Sequence, residues 1–295
     1  KESALQAEIS GYDIGLKPKQ GKGPYGWHVS ASIEGREIES DVEVLYWADM
    51  VKSSMNMGIA ATYAVLARTA WVYIASGALW RLMRLRKGPV IAALYPVGFL
   101  LVQAMIAMIA AYGIALGAQM VVPGGIGLLV GWGLGAALAF GILDFFRRKD
   151  NKFFAYYLMH DYAYSARTRG ANPPELEARM AEFVDRISEA LASDVDEVLV
   201  VGHSSGAHLG VSVLADLLRA GRAPSGGPVL SFLTLGQVVP MVSFLPDAWR
   251  LRADLAYMAA QEHPFWVDVT APGDGCAFAL CDPVSVSGVA PEDKR

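Results

Sequence analysis

The sequence lacks charge over one long stretch. Between Gly88 and Leu143, 56 residues contain no Asp, Glu, Lys, Arg or His. An uncharged, apolar run of this length exceeds the helices found in soluble cores, which argues against a wholly soluble protein. Outside the run, charged residues are about as frequent as in ordinary soluble domains. The 295 residues therefore combine a membrane segment with globular parts.

The sequence also has few cysteines, and its net charge is negative. The two cysteines, Cys276 and Cys281, exclude a disulfide scaffold, and their spacing fits no metal-binding pattern. A net charge of −4 and a pI near 5.8 argue against a nucleic-acid-binding protein. The apolar fraction of 54% excludes intrinsic disorder. No motif indicates a metal ion or another cofactor, so none is expected.

The uncharged run predicts a transmembrane hairpin. It divides at a tight Pro-Gly turn into two spans, at about 97–119 and 124–146. Spans of this length can cross a hydrocarbon core of roughly 30 Å. Small residues recur at every fourth position, namely Ala107, Ala111 and Ala115 on the first span and Gly127, Gly131 and Gly135 on the second. These stripes either pack on each other or dock a membrane protein, including a second copy of the chain.

Basic residues flank the predicted hairpin on both sides. They are Arg81, Arg84, Arg86 and Lys87 before it, and Arg147, Arg148, Lys149 and Lys152 after it. The turn between the spans has no basic residue. The positive-inside rule therefore predicts that both ends lie in the cytoplasm. This corresponds to a multi-pass protein of the inner membrane with its soluble domain in the cytoplasm.

A further apolar segment, Met55–Leu79, carries one charge, Arg68. Aromatic residues, among them Trp71 and Trp80, cluster near its end and precede the basic flank. This pattern predicts an interfacial or re-entrant helix at the membrane surface, with a third span as the alternative.

The other parts of the chain predict an α/β fold. Residues 28–47 alternate in polarity around a turn and predict a β-hairpin. After the membrane insert, apolar strands at 197–201, 229–235 and 265–270 alternate with helical patterns, which is typical of a parallel sheet. The predicted division is residues 1–50 as the N-terminal part of the cytoplasmic α/β domain, 51–150 as the membrane insert, and 151–295 as the main α/β domain.

The candidate chemistry lies in Gly202-His203-Ser204-Ser205-Gly206, which fits the pattern Gly-x-Ser-x-Gly. In this pattern the central serine occupies a sharp strand-to-helix turn, and the flanking glycines remove Cβ clashes. A predicted buried strand precedes the motif and an apolar helix follows it. Ser204 is therefore the candidate nucleophile. The backbone N–H of Ser205, at the positive end of the helix, is the candidate oxyanion donor.

The stretch VLVVGHSSGAHLGVSVLADLL resembles the nucleophile elbow of the esterase and lipase members of the α/β-hydrolase superfamily. The resemblance implies an α/β-hydrolase-like, mostly parallel sheet, interrupted here by the two-helix transmembrane hairpin. It also implies an acid and then a histidine after the nucleophile. Asp274 is the preferred acid, Asp282 is the alternative, and Asp268 is expected to pair locally.

No histidine follows Asp274. Of the five histidines, only His263 lies close before the strand that leads to the acid. Either the chain is a fragment or its site is degenerate, and the start without Met together with the charged end favours a fragment. Two functions follow. One is a membrane-anchored serine hydrolase of the esterase or lipase type. The other is a catalytically inactive hydrolase-like scaffold or accessory subunit of a membrane protein complex.

Overall fold

The computed structural model describes residues 2–11, 13–18, 23–54, 58–224 and 226–292. It has the predicted α/β composition, with helices and two small sheets, one antiparallel and one parallel. The chain divides into two compact units, Lys1–Asp49 and Met50–Arg295.

The N-terminal unit contains one helix and an antiparallel sheet. Its elements are α1 (Glu2–Ser10), β1 (Asp13–Pro18), β2 (Gly26–Ile33) and β3 (Arg36–Glu43). The predicted hairpin is confirmed, since β2 and β3 pair across a turn in which Glu34 and Gly35 both have positive φ. The sequence patterns did not predict β1, which pairs with β2. No described strand connects this sheet to the parallel one.

Among the described residues, seven helices follow β3 and precede the α/β part. They are α2 (Ala48–Ser54), α3 (Ile59–Ala75), α4 (Ala78–Leu85), α5 (Lys87–Val121), α6 (Gly125–Arg148), α7 (Asp150–Phe153) and α8 (Ala155–Arg167). Helices α5 and α6 are long and apolar enough to cross a membrane, as predicted. Large apolar side chains on both, such as Ile109 and Leu129, are mostly exposed, which is the arrangement expected of lipid-facing helices.

The small-residue stripes of α5 and α6 pack on each other. A Cβ atom added to Gly135 would lie 2.6 Å from the carbonyl oxygen of Ala111. One added to Gly131 would lie 2.9 Å from the Cα atom of Ala115. Glycine therefore lets the two backbones approach closely. Because the two stripes bury each other, they do not offer a free surface to another protein or to a second copy of the chain.

Helices α3 and α4 form a bent pair. Their axes meet at 72°, next to Gly77 with its positive φ of 73°. Both helices contact the globular part, since the Tyr73 hydroxyl donates to the carbonyl of Met241 at 2.9 Å and the Arg81 guanidinium lies 4.1 Å above the Phe244 ring. By length and composition the bent pair fits either a re-entrant segment or one broken span, so both the predicted re-entrant helix and the alternative third span stay predictions. The first residues of the predicted segment, 55–57, lie outside the described residues.

The α/β part contains the parallel sheet. Its elements are α9 (Pro174–Leu191), β4 (Glu197–His203), α10 (Gly206–Arg219), β5 (Val229–Leu235), α11 (Val239–Ser243), α12 (Trp249–Ala259), β6 (Phe265–Val269) and α13 (Pro283–Val286). The strands are parallel, as predicted, and they lie in the order β4-β5-β6. Their carboxyl ends therefore meet at one edge, where ligands usually bind in open α/β sheets.

An ionic network fixes helix α10, which follows the candidate motif. Asp254 of α12 is fully buried and bonds to Arg219 at 2.5 Å and to Arg250. Arg250 also contacts Asp216 at 2.7 Å and Glu177 at 3.2 Å. The network joins α9, α10 and α12. Removing one partner would leave a buried charge uncompensated and would strongly destabilise the fold. The network therefore holds the three helices together.

Candidate active site

Ser204 occupies a strained turn between β4 and α10. Its φ is 53°, in the left-handed region that costs an L-residue roughly 1–2 kcal/mol. Its N–H donates to the carbonyl of Leu235 at the end of β5, at 3.0 Å. The strand-turn-helix geometry predicted for the motif is therefore present at the carboxyl edge of the sheet.

Of the two glycines in the motif, the structure requires only one for steric reasons. A Cβ atom added to Gly202 would lie 2.8 Å from both the Cα atom of Ala207 and the carbonyl oxygen of Gly206. A Cβ atom added to Gly206 would meet no atom within 4 Å among the residues that the structure describes. The prediction that both glycines relieve a clash is therefore correct only for Gly202.

The N-terminus of α10 points at the same edge. Helix α10 begins at Gly206, and the Ser205 N–H has no acceptor in the described ranges of the chain. A free N–H at a helix N-terminus carries partial positive charge and can hold a developing oxyanion. This agrees with the role expected of Ser205.

The hydroxyl of Ser205 lies near an acid that the sequence patterns did not indicate. This acid is Asp161 on α8, 44 positions earlier in the chain. Burial raises the pKa of Asp161 to about 6, although the Ser205 hydroxyl lowers it in part. In the sequence, Asp161 is only an acidic residue within a predicted Tyr-rich helix, and that pattern by itself indicates no role.

Asp274 lies close to the motif, at the same edge of the sheet. One of its carboxylate oxygens accepts the N–H of Cys276 at 2.8 Å. The other would lie 3.3 Å from a Cβ atom added to Gly236, which follows the last residue of β5. Because the carbonyl of that last residue, Leu235, also accepts the Ser204 N–H, the structure brings Asp274 and Ser204 to neighbouring positions.

The other two acids have local structural partners. Asp268 accepts the hydroxyl of Thr234 at 2.7 Å, as expected, and its burial raises its pKa. Asp282, the alternative acid, accepts the N–H groups of Val284 and Ser285 and so caps α13. Capping uses the carboxylate within its own loop. Asp274 therefore stays the preferred acid.

Neither Ser204 nor Asp274 is hydrogen-bonded to a histidine in the part of the chain that the structure covers. His263 precedes the amino end of β6, whereas the motif lies at the carboxyl ends of the strands. The two are separated by the length of the strand, roughly 16 Å at 3.3 Å per residue. His263 therefore lies at the opposite end of the strand from Ser204.

The remaining histidines have other surroundings. His28 lies in the N-terminal unit and bonds to Glu39 at 2.6 Å and to Asp41 at 2.9 Å. His160 is buried with Nε2 3.5 Å from the Thr62 hydroxyl oxygen. His203 is exposed at the end of β4, and His208 is buried in α10.

The start of α5 holds the loop that carries Asp274. The Arg86 guanidinium donates to the carbonyls of Pro272 at 2.9 Å and of Ala279 at 2.8 Å. Gly88 approaches the carbonyl of Gly275 so closely that an added Cβ atom would lie 3.3 Å away. The candidate site therefore lies against the base of a helix that continues into the first apolar span.

His208 is expected to limit stability at acid pH. Complete burial lowers its pKa to about 4, against about 6.5 in the unfolded chain, and its Nδ1 has no partner among the described residues. The folded state then binds fewer protons, so stability is lost as the pH falls from 6.5 towards 4, by roughly 3 kcal/mol in total. Urea unfolding in detergent at pH 7 and pH 4.5 measures the loss.

His208→Leu should remove most of this pH dependence, while the exposed His263→Gln should leave it intact. An equal acid sensitivity in His208→Leu and the wild type would show that other groups cause the loss.

Comparisons with protein-family models, with curated proteins and with solved structures found no match. No group of three or more metal-ligating side chains occurs within the described ranges. The geometry of Ser204, Ser205 and Asp274 is therefore the basis for assigning a function.

Proposed function

We propose that the chain is a membrane-anchored serine hydrolase of the esterase or lipase type, with Ser204 as its nucleophile. The observation that carries the proposal is the positive φ of Ser204 at the junction of β4 and α10. Strain of this kind in a residue other than glycine persists where the surrounding structure enforces it, and it clusters at functional sites.

In this proposal the Ser204 hydroxyl oxygen attacks the carbonyl carbon of an ester, a base passes the hydroxyl proton to the departing alcohol, and water then hydrolyses the acyl-serine. The negative charge that develops on the carbonyl oxygen is stabilised by the free N–H of Ser205 and by the N-terminus of α10. Asp274, at the same edge of the sheet, has the position of an acid that orients a histidine in the α/β-hydrolase superfamily. The parallel strand order and the resemblance of the motif support membership of that superfamily.

A second candidate, an inactive hydrolase-like scaffold or accessory subunit, is favoured by a separate observation. No histidine reaches Ser204 or Asp274 among the described residues, and a serine hydroxyl without a base is a weak nucleophile. An activity-based fluorophosphonate probe separates the candidates. Labelling of the folded, membrane-inserted protein supports the hydrolase. No labelling, while a control esterase reacts in the same sample, favours the scaffold.

We further propose that the hairpin crosses the inner membrane with both ends in the cytoplasm. The eight flanking basic residues and the uncharged turn favour this orientation. The candidate site, which contacts the base of α5 through Arg86, then faces the cytoplasm.

Cysteine labelling tests this orientation. In a background with Cys276 and Cys281 replaced by serine, Val122→Cys places a thiol at the half-exposed turn between the spans. It should react with an impermeant thiol reagent added outside intact cells. The matched variant Lys152→Cys, beyond the second span, should react only after the membrane is opened. The reverse pattern would contradict the proposed orientation.

A further inference from the structure

We infer that the loop of residues 270–282, which carries Asp274, rests in the headgroup layer of the membrane together with the first turns of α5. Arg86 holds the loop there, and Leu280 is the side chain that enters the lipid. The partner of this surface is the phospholipid bilayer itself. The inference is independent of the hydrolase function, because it concerns where the loop lies and not what Asp274 does.

One exposed apolar row runs along α5 and begins before the predicted span. Its members recur at spacings of three and four residues, so they share one face of the helix. They are Ile91, Leu94, Gly98, Leu101, Met105, Met108 and Tyr112. The later members belong to the predicted span and face lipid. Because α5 is one continuous helix, the same face also presents Ile91 and Leu94 to lipid.

The length of the helix places Ile91 in a headgroup layer. From Ile91 to Val121, the last residue of α5, the rise is roughly 45 Å. This length matches the roughly 40–45 Å of a hydrocarbon core with both headgroup layers. To fit within the core alone, at roughly 30 Å, the helix would need a tilt of about 48°, beyond the usual range of about 0–40°.

The residues just before α5 suit the same layer. Trp80 of α4 is strongly exposed, and Arg84 and Lys87 are exposed as well. Tryptophan is enriched at membrane–water interfaces, and anionic phospholipids attract arginine and lysine next to a span. The junction of α4 and α5 therefore has the composition of a segment at headgroup level.

The loop is attached to this junction at two points. The Arg86 guanidinium donates to the carbonyls of Pro272 at 2.9 Å and of Ala279 at 2.8 Å. In the first turn of α5, Gly88 lies against the backbone of Gly275, where an added Cβ atom would be 3.3 Å from the carbonyl oxygen. These contacts keep the loop at the level where α5 begins.

Leu280 directly follows one of these attachment points. It is 82% exposed, and its φ of 63° lies in the left-handed region, which is strained for a bulky side chain. The loop thus holds a large apolar side chain away from the protein at a conformational cost. Burial of this side chain among lipid offsets the cost. Leu280 is therefore the residue of the loop that enters the bilayer.

The test measures fluorescence quenching in the full chain, reconstituted into nanodiscs of phosphatidylcholine and phosphatidylglycerol. An environment-sensitive fluorophore is attached to single cysteines, in a background with Cys276 and Cys281 replaced by serine. A phospholipid that carries a nitroxide on its headgroup is the quencher. Leu280→Cys and Ile91→Cys should each lose about half of their fluorescence or more, because side chains buried roughly 5–10 Å into this layer lie close to the nitroxide.

Two further positions serve as matched controls. Phe265 is also a strongly exposed apolar residue, but it lies at the amino end of β6, away from the loop. Phe265→Cys should therefore keep its fluorescence. Leu129 is exposed on α6, within the second span. Leu129→Cys should be quenched more strongly by a nitroxide deep in the acyl chain than by one on the headgroup.

Arg86→Ala tests the attachment of the loop. It should reduce the quenching at Leu280, because two hydrogen bonds to the loop are lost, and it should leave Ile91 unchanged. Arg84→Ala, at an exposed arginine of α4, should change neither position. Circular dichroism checks that each variant is folded. Quenching at Leu280 that persists fully in Arg86→Ala would overturn the role assigned to Arg86.

The quenching pattern of the otherwise unchanged chain decides the main inference. If Leu280 were no more quenched than Phe265 while Ile91 was quenched, the loop would lie outside the headgroup layer and the inference would fail. If Ile91 also kept its fluorescence, the start of α5 would lie outside the bilayer, with the same consequence. Neither result bears on Ser204, whose reactivity is decided separately by fluorophosphonate labelling.

Discussion

Ser204→Ala is expected to abolish fluorophosphonate labelling of the folded protein. A working triad nucleophile contributes a rate factor on the order of 10⁶ in a well-studied protease, so the difference should be unambiguous. The alanine methyl group occupies the same turn without a hydroxyl, and the backbone bond to Leu235 is preserved. The measurement is the fraction of protein labelled after a fixed time, at equal amounts of folded protein.

A matched serine provides the control. Ser193 lies before β4, at the opposite edge of the sheet, with an exposed side chain whose hydroxyl donates to the carbonyl of Ala190. Ser193→Ala should therefore label like the wild type. If Ser204→Ala and the wild type were labelled to the same extent, the reactive residue would lie elsewhere and Ser204 would have no catalytic role.

Replacing Ser204 by glycine should show that the serine is kept at this position at a cost in folding stability. Ser204→Gly relieves the strain of a left-handed backbone, and this gain exceeds the extra flexibility of glycine in the unfolded chain by about 0.5–1 kcal/mol. The unfolding temperature should rise by about 2 °C for a domain of this size, while labelling is lost. A lower unfolding temperature would show that the turn is not strained.

Features that depend on local periodicity could be read from the sequence. The two apolar helices, the hairpin of β2 and β3, the parallel strands and the strained turn at Ser204 all follow from patterns within a few residues. Each depends on the spacing of apolar side chains or on glycine and proline at a turn. In these segments local preference and tertiary structure agree.

Contacts between distant segments could not be read in this way. The bond from the Tyr73 hydroxyl to the carbonyl of Met241 joins positions 168 apart, and nothing in either local sequence indicates the other. The hydrogen bond from the Arg86 guanidinium to the carbonyl of Pro272 spans 186 positions. For the stripes on α5 and α6, spacing alone allowed either mutual packing or a partner. Only the positions of both helices decide between those two arrangements.

Gly135→Leu is expected to destabilise the membrane hairpin by more than about 3 kcal/mol, at the upper end of overpacking effects. The first added atom would already lie 2.6 Å from the carbonyl oxygen of Ala111 and 3.1 Å from its Cα atom. Both are backbone atoms, which cannot rotate away as a side chain can. Helices α5 and α6 would therefore have to separate, and the close contact along the whole stripe would be lost.

Gly133→Leu is the matched control on the same helix, two positions away. A Cβ atom at Gly133 meets no atom within 4 Å in the described parts of the chain, so the leucine would extend towards lipid. Thermal unfolding in detergent, followed by loss of the monodisperse species, compares the two. The midpoint should fall by at least about 6 °C in Gly135→Leu, because one kcal/mol corresponds to about 2–4 °C in domains of this size.

Gly133→Leu should stay within about 2 °C of the wild type, since leucine favours helix more than glycine does and adds no clash. Gly135→Ala should give an intermediate loss, because it introduces the clashing Cβ atom without the larger side chain. Equal midpoints for the two leucine variants would show that the stripe formed by Gly127, Gly131 and Gly135 is not packed against α5. In that case the stripe would again be a candidate surface for a partner.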